Sequence, residues 1–184
     1  MKTHFDIEQF IAAGAFTNEL DYERAMVADR KLRLLAKDNE HFKTLRSRLR
    51  SLIKDYESKE WSDANTITTR KLNESDRAEK IAEKERVFIE KRKAVIKRSL
   101  KQRNLTQQNL ALLLGHTSKT HMSELINGIK PFTHKDLVTI SLLFDIDINK
   151  LVPVFLSNKD SARIKIVLKQ LDNPKMKKVE LALV

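Results

Sequence analysis

Residues 105–153 decide how this chain folds, and they read LTQQNLALLLGHTSKTHMSELINGIKPFTHKDLVTISLLFDIDINKLVP. Apolar residues recur here at helical spacing over four short segments. Thr106 can cap the first helix and Gly115 can end it, because glycine readily adopts the left-handed conformation found after a helix. Ser118 and Gly128 bound the second helix in the same way. The stretch therefore predicts a helix-turn-helix with more helix after it.

The apolar residues of this stretch predict which side of each helix is buried. In the first helix the inward residues are expected to be Leu110, Ala111, Leu113 and Leu114. In the second helix they are expected to be Met122, Leu125 and Ile126. Thr133 and Asp136 form a capping-box-like start for a third helix, and a last apolar turn ends before Pro153.

Over roughly residues 92–153 the chain resembles the lambda-repressor-like (XRE) helix-turn-helix family. The resemblance rests on L-T-Q-x-x-L-A-x-x-L-G from Leu105, on the later N-G at Asn127, and on the leucine-rich helix that follows. More narrowly, the SELING and PFT runs and the long N-terminal extension are similar to HigA-type antitoxins of type II toxin–antitoxin systems. The resemblance implies a five-helix DNA-binding domain, a homodimer on a double-stranded DNA operator, and a cognate toxin. That toxin is a small HigB-like mRNA interferase, and the pair represses its own operon.

The resemblance also implies which residues meet DNA, when the chain is anchored on the shared N-G. Base-reading positions fall on Lys119, Thr120 and Ser123. Backbone-contacting positions fall on Gln107, Ser118, Asn127 and Lys130. Lysine can donate to guanine O6 and N7 in the major groove, and threonine can contact a base edge or a thymine methyl. The chain departs from the family by one extra residue between Gly115 and Gly128, in the turn near His116.

The composition favours a helical protein. Glycine and proline are rare, with three of each among 184 residues, so long helices are favoured over a sandwich or barrel and the predicted fold class is mainly α. Cysteine is absent, which excludes disulfides and thiolate chemistry. No apolar run approaches the roughly 18 residues that span a bilayer, and the N-terminus lacks the apolar core of a signal peptide. A cytoplasmic protein is therefore expected.

The net charge of +11 is unevenly spread, with +1 over residues 1–58, +6 over 59–105 and +4 over 106–184. Seven basic residues and no acidic residue lie between Lys91 and Arg103. A basic surface beside a helix-turn-helix is expected of a protein that binds phosphates. These cations are expected near the DNA backbone or in solvent, while Ile96 and Leu100 face the core.

Residues 1–58 are expected to form an N-terminal helical hairpin, as a partner or dimer surface. Apolar residues at helical spacing predict a short helix over 6–13, a second over 20–37 and a third over 40–57. The last two are joined by the short polar segment AKDNE, which predicts an antiparallel pair. Their apolar stripes either bury against each other and the next helix or bind another protein.

Residues 59–90 are expected to hold a polar linker and a long helix capped by Asn73. An apolar seam repeats at intervals of seven along that helix, through Ile81, Phe88 and Val95 and through Ala82, Ile89 and Ile96. The seam either packs on the hairpin or forms a dimer contact. A break near Phe88 is expected to separate this helix from the DNA-binding domain.

The remaining domain boundaries follow from the motif. The helix-turn-helix domain is expected over residues 91–153, and residues 154–184 are expected to hold a C-terminal helix and a short strand formed by VELALV. His116, His121 and His134 are not at ligand spacing on one helix face, so no metal site and no cofactor are expected.

No phosphate loop, HExxH motif or Ser/His/Asp set is recognisable, so an enzyme is not expected. Two alternatives to the antitoxin stay open. One is a stand-alone XRE-family transcriptional regulator without a toxin partner. The other is an interaction protein that has kept the fold without binding DNA.

Overall fold

The computed structural model describes residues 6–153 and 158–172, and the expected mainly α fold class is confirmed for them. The described residues form eight α-helices and two short 3-10 turns, with no strand among them. The helices are α1 Ile7–Ala13, α2 Glu19–Leu35, α3 Glu40–Glu60, α4 Thr69–Gln102, α5 Gln107–Leu114, α6 Lys119–Asn127, α7 His134–Phe144 and α8 Asn158–Leu171. The expected strand at the C-terminus lies outside the described residues. No described helix has both the length and the apolar character needed to cross a membrane.

The helices α2 and α3 form the antiparallel hairpin that the sequence predicts. The Tyr56 hydroxyl near the end of α3 donates to Glu19 at the start of α2 at 3.0 Å, and Arg46 pairs with Asp29 at 2.9 Å. The apolar stripes of both helices are buried together with α1 in one core, which consists of Ile7, Phe16, Ala25, Ala28, Leu32, Ala36, Phe42, Leu45, Leu49, Ile53 and Ile129. The apolar stripes of α2 and α3 are therefore buried by contacts within the chain.

The helix α4 differs from its prediction at both its start and its middle. The Thr68 hydroxyl caps it by accepting a main-chain hydrogen bond at 3.2 Å, so Asn73 lies inside the helix and is not its cap. The helix then runs for 34 residues, and the expected break near Phe88 is wrong. Residues 69–102 contain neither glycine nor proline, so nothing in the backbone interrupts the helix. The boundary expected after residue 90 falls inside it.

Different parts of α4 pack against different helices. Glu85 and Glu90 pair with Arg24 and Lys31 of α2, while Ile96 and Leu100 near its end belong to the core of α5–α7. The apolar seam of α4 lies within these contacts, because Ala82 and Ile96 are buried and Ile89 touches Gly128. The row of Ala82, Ile89 and Ile96 therefore packs within the chain.

The end of α4 forms a second apolar core with α5, α6, α7 and the 3-10 turn Ile148–Lys150. This core consists of Ile96, Leu100, Leu110, Ala111, Met122, Leu125, Ile126, Phe132, Leu137, Ile140, Phe144, Ile146 and Leu151. As predicted, Thr106 caps α5 and Thr133 caps α7, each in a capping box with the residue three positions later. Gly115 and Gly128 end α5 and α6 in the left-handed conformation, with φ of 79° and 69°.

Leu113 was expected to face inward, but 49% of its surface is exposed. The helix α5 has only eight residues, and its inner side is occupied by Leu110, Ala111 and Leu114. At roughly 100° per residue, Leu113 points about 100° away from the centre of that side. The prediction for Leu113 is therefore wrong, because the helix buries a narrower stripe than its leucine content suggests.

Gly128→Ala is expected to destabilise the protein more than Gly115→Ala. Both glycines have positive φ, so each substitution strains the backbone by about 1–2 kcal/mol. A Cβ at Gly128 would in addition lie 2.7 Å from Cγ2 of Ile89, while a Cβ at Gly115 meets no atom within 4 Å. Because the branched side chain of Ile89 is stiff, we expect an extra loss of roughly 1–3 kcal/mol in the free energy of unfolding for Gly128→Ala.

Urea unfolding of both variants measures this difference. In an Ile89→Ala background the clash is removed, so the extra loss caused by Gly128→Ala is expected to disappear. Equal losses for Gly128→Ala and Gly115→Ala in the natural background would contradict the close packing of α4 on the end of α6.

Candidate nucleic-acid interface

The start of α6 carries the residues that were predicted to read bases. The Ser118 hydroxyl accepts a main-chain N–H at 3.1 Å and so caps the helix. Lys119 is exposed on the first turn, and Thr120 and Ser123 are half-buried beside it. Gln107, which opens α5, is also half-buried. An exposed cation at the start of a capped helix is suited to donate hydrogen bonds to a nucleic acid.

The second half of α6 is covered on both sides. Met122 and Leu125 face the apolar core, and at roughly 100° per residue Glu124 and Asn127 point to the opposite side. Polar residues on the outer side of a helix are usually exposed, yet Glu124 is only 2% exposed and Asn127 only 8%. Residues of α1, α2, α3 and α4 cover this side of α6.

Asn127 makes four hydrogen bonds through its side chain and its main-chain oxygen, one of them from the side-chain amide to the Ser123 hydroxyl at 3.3 Å. Its side-chain amide donates to the main-chain oxygen of Ser123 at 2.8 Å, and its side-chain oxygen accepts from Nζ of Lys93 at 2.8 Å. Its main-chain oxygen accepts from Nζ of Lys31 at 2.8 Å. Asn127 was predicted to contact a DNA phosphate. In this arrangement it does not face outward, because lysines of α2 and α4 engage it.

Lys130 is also engaged within the chain. Its Nζ lies 2.8 Å from Glu8 and 3.2 Å from Glu124. Burial lowers the pKa of Lys130, but the hydrogen bonds and charges of the two carboxylates outweigh burial and raise it overall. The charge of Lys130 is therefore paired within the chain, and its phosphate contact stays a prediction.

Glu8, His41 and Glu124 bring three groups together that could hold a divalent cation, with one ligand atom each within 4.8 Å of the others. Sequence reasoning did not predict this cluster, because its members come from α1, α3 and α6. Nε2 of His41 lies 2.7 Å from Glu124. The ammonium group of Lys130 contacts both carboxylates and supplies the positive charge that a metal would bring. The cluster is an ion-pair network that joins the N-terminal helices to α6.

Ile129 supplies an apolar contact between the N-terminal helices and the end of α6. It is 1% exposed and belongs to the core of the N-terminal helices, although it directly follows α6. Its main-chain oxygen accepts a hydrogen bond from the N–H of Ile7 at 3.4 Å. An isoleucine in a turn between Gly128 and Pro131 is a signal that the turn is buried, and sequence reasoning missed it.

A groove between α2 and α4 ends at Asn127 and has a volume of about 410 Å³. Its floor is apolar and its rim is basic, and its lining includes Val27, Leu34 and Leu35 with Arg30, Lys31, Arg86, Lys93 and Glu90. Nζ of Lys31 lies 3.1 Å from Glu90, and burial lowers the pKa of Lys31. Cations that are far apart in sequence therefore converge beside the end of α6.

The seven basic residues at the end of α4 do not share one environment. Lys91, Lys97, Arg98 and Lys101 are exposed. Arg92 is 1% exposed, lies over the rings of Phe88 and Phe132, and donates to the main-chain oxygen of Leu151 at 3.4 Å. Burial lowers the pKa of Arg92 to about 10. The expectation that these cations all lie near phosphates or in solvent is therefore wrong for Arg92.

No protein-family model, no curated protein and no solved structure matches this chain. The candidate interface therefore rests on the arrangement of its own residues and not on a relative. It consists of the exposed start of α6 with Lys119, the covered second half of α6, and the basic groove that ends at Asn127.

Arg92→Met is expected to raise the free energy of unfolding, whereas Arg92→Ala is expected to lower it. Because burial holds the folded-state pKa of Arg92 below its ordinary value, the buried charge costs stability at every pH below about 10. Methionine fills a similar space without a charge, while alanine leaves a cavity. We expect changes of roughly 1 kcal/mol or more in opposite directions.

Urea unfolding at neutral pH measures both variants. Arg98→Met is the matched control, because Arg98 is exposed on the same helix and its replacement is expected to change stability by less than about 0.5 kcal/mol. A loss for Arg92→Met as large as that for Arg92→Ala would mean that the ring contacts of the guanidinium outweigh its desolvation.

Proposed function

We propose that this protein is a sequence-specific DNA-binding transcriptional repressor that is also an antitoxin, with α5 and α6 as its helix-turn-helix. The observation that carries the proposal is the start of α6. It follows the short turn 115–118, is capped by Ser118 and presents Lys119 to solvent. The resemblance of residues 92–153 to the XRE family supports the same function.

In this function α6 lies in the major groove of a double-stranded operator. Lys119 donates to guanine O6 or N7, and Thr120 and Ser123 contact neighbouring base edges. Gln107 and Ser118 contact the DNA backbone, which fixes the register of the protein on the duplex. A homodimer places two such helices on paired half-sites.

The antitoxin part assigns a protein partner to the N-terminal helices. The resemblance implies that this partner is a HigB-like mRNA interferase. The two proteins bind each other in the cytoplasm. Direct binding neutralises the toxin, and the pair represses its own operon. The chain itself acts by binding, and no catalytic role is assigned to it.

A stand-alone XRE-family regulator without a toxin is the second candidate, and one observation favours it. The apolar stripes of α2 and α3 are buried in the chain's own core, Glu8 pairs with Lys130 just after α6, and His41 contacts Glu124 of α6. The N-terminal helices therefore have an internal role that needs no protein partner.

Lys119→Ala is expected to weaken binding to the DNA upstream of the protein's own gene by roughly 1–3 kcal/mol, and Thr120→Ala by a similar amount. The reason is the loss of hydrogen bonds or methyl contacts to base edges. Fluorescence anisotropy with a labelled upstream duplex measures the affinity, with a random duplex of equal length as reference.

Lys59→Ala is the matched control, since it removes an exposed lysine from the last turn of α3. It is expected to weaken binding to both duplexes slightly and equally. The DNA-reading function fails if Lys119→Ala and Lys59→Ala bind the upstream duplex equally, or if the natural protein shows no preference for that duplex.

Co-expression with the product of the neighbouring gene tests the antitoxin part. The expected result is a complex that co-purifies and a relief of the growth arrest that the neighbour causes alone. Lys119→Ala is expected to preserve both effects, because Lys119 lies on α6 and not on the N-terminal helices. Absence of both complex and relief leaves the stand-alone regulator.

A further inference from the structure

The outer side of α6 is partly accessible at its start and covered at its end. Thr120, in the first turn, is half-buried, while Glu124 and Asn127 on the same outer side are 2% and 8% exposed. A helix that reads DNA needs this side against the base edges, and the chain's own helices occupy half of it.

The covering contacts come from α1, α2, α3 and the middle of α4. Glu8 of α1 pairs with Lys130, and His41 of α3 contacts Glu124. Two lysines hold Asn127, as described above. The N–H of Ile7 donates to the main-chain oxygen of Ile129, and both isoleucines are buried in one core. These contacts, which we call the cover of α6, are thus mostly polar, with one small apolar contact.

The dimensions of DNA decide what this cover does. The major groove of B-DNA is about 12 Å wide, and an α-helix with its side chains is about 10–12 Å across, so the groove admits one helix. With α1 and α3 against its outer side, α6 does not fit into the groove beyond its first turns. The carboxylates of Glu8 and Glu124 both contact Lys130, and their negative charge repels a phosphate that approaches this lysine.

We propose that the N-terminal helices and operator DNA compete for the same side of α6, so that α1–α3 must leave α6 before it enters the major groove. This regulation rests on the proposed DNA-reading function. Release frees Lys130 from Glu8 and so returns it to the backbone-contacting role that the resemblance implies. The charges permit the exchange, because a DNA phosphate is negative like the Glu8 carboxylate that Lys130 gives up.

A reversible cross-link tests whether the covered state binds DNA. The chain has no cysteine, so Ile7→Cys/Ile129→Cys introduces a single pair. Their main chains are hydrogen-bonded, which brings the two Cα atoms near the range of about 4.4–6.8 Å in which a disulfide forms. The full chain is oxidised with glutathione disulfide, and cross-linking is followed by mass and gel mobility.

We expect the disulfide to form within one chain and the oxidised protein to bind the upstream duplex at least tenfold more weakly than the same protein after reduction. Reduction restores binding, so the reduced double variant is its own control for any loss of packing. Failure of the disulfide to form within one chain overturns the proposal, and so does equal binding by the oxidised and reduced forms. If neither form binds the upstream duplex in preference to a random one, the DNA-reading function fails and the competition fails with it.

Glu8→Lys tests the same competition in the opposite direction. It places an ammonium group beside Lys130 and so weakens the cover. Glu83→Lys is the matched control, because Glu83 also pairs with one cation, Arg86, and its replacement changes the net charge equally. We expect Glu8→Lys to bind the upstream duplex severalfold more tightly than Glu83→Lys does. Equal affinities would mean that only the added charge acts on DNA, and would count against the cover.

Discussion

The arrangement of the whole molecule depends on α4 being one unbroken helix. Its 34 residues span about 50 Å, and it packs along α2 and contributes residues to the core of α5–α7. The first half is fixed to α2, where the Arg24 guanidinium bonds both oxygens of Glu85 at 2.7 and 2.5 Å. The second half contributes Ile96 and Leu100 to the core of α5–α7. Because one helix contacts both α2 and α6, the N-terminal helices are held beside the end of α6.

Charge pairing within the chain changes what a net charge of +11 means for α6. Near the end of α6, Lys31 and Lys93 are engaged by Asn127, and Lys130 is paired with two glutamates. Half-buried ion pairs are harder to break singly than exposed ones, yet a phosphate can replace a carboxylate as their partner. Arg92 is the opposite case, because its burial among rings and a main-chain oxygen makes it part of the core.

The N-terminal helices take part in both proposed functions, the control of DNA binding and the binding of a protein partner. These helices cover the outer side of α6 and, in the proposed function, bind a protein partner. Two binding events that act on the same helices are thermodynamically linked, so a partner that favours or opposes the covered state changes the affinity for DNA, and DNA changes the affinity for the partner by the same factor. In the proposed function, the long N-terminal extension therefore controls the access of DNA to α6.

Local chemistry in the sequence was sufficient to predict the helices and most of their ends. Thr106, Ser118 and Thr133 cap where predicted, and glycines end α5 and α6, because capping depends on a few neighbouring residues. Only the tertiary structure decided that α4 continues past Phe88, that Arg92 is buried, and that Leu113 is exposed. It also decided that Glu124, Asn127 and Lys130 are covered. These features depend on contacts between residues far apart in the chain, such as Lys31 with Asn127. A local pattern of residue types does not predict such contacts.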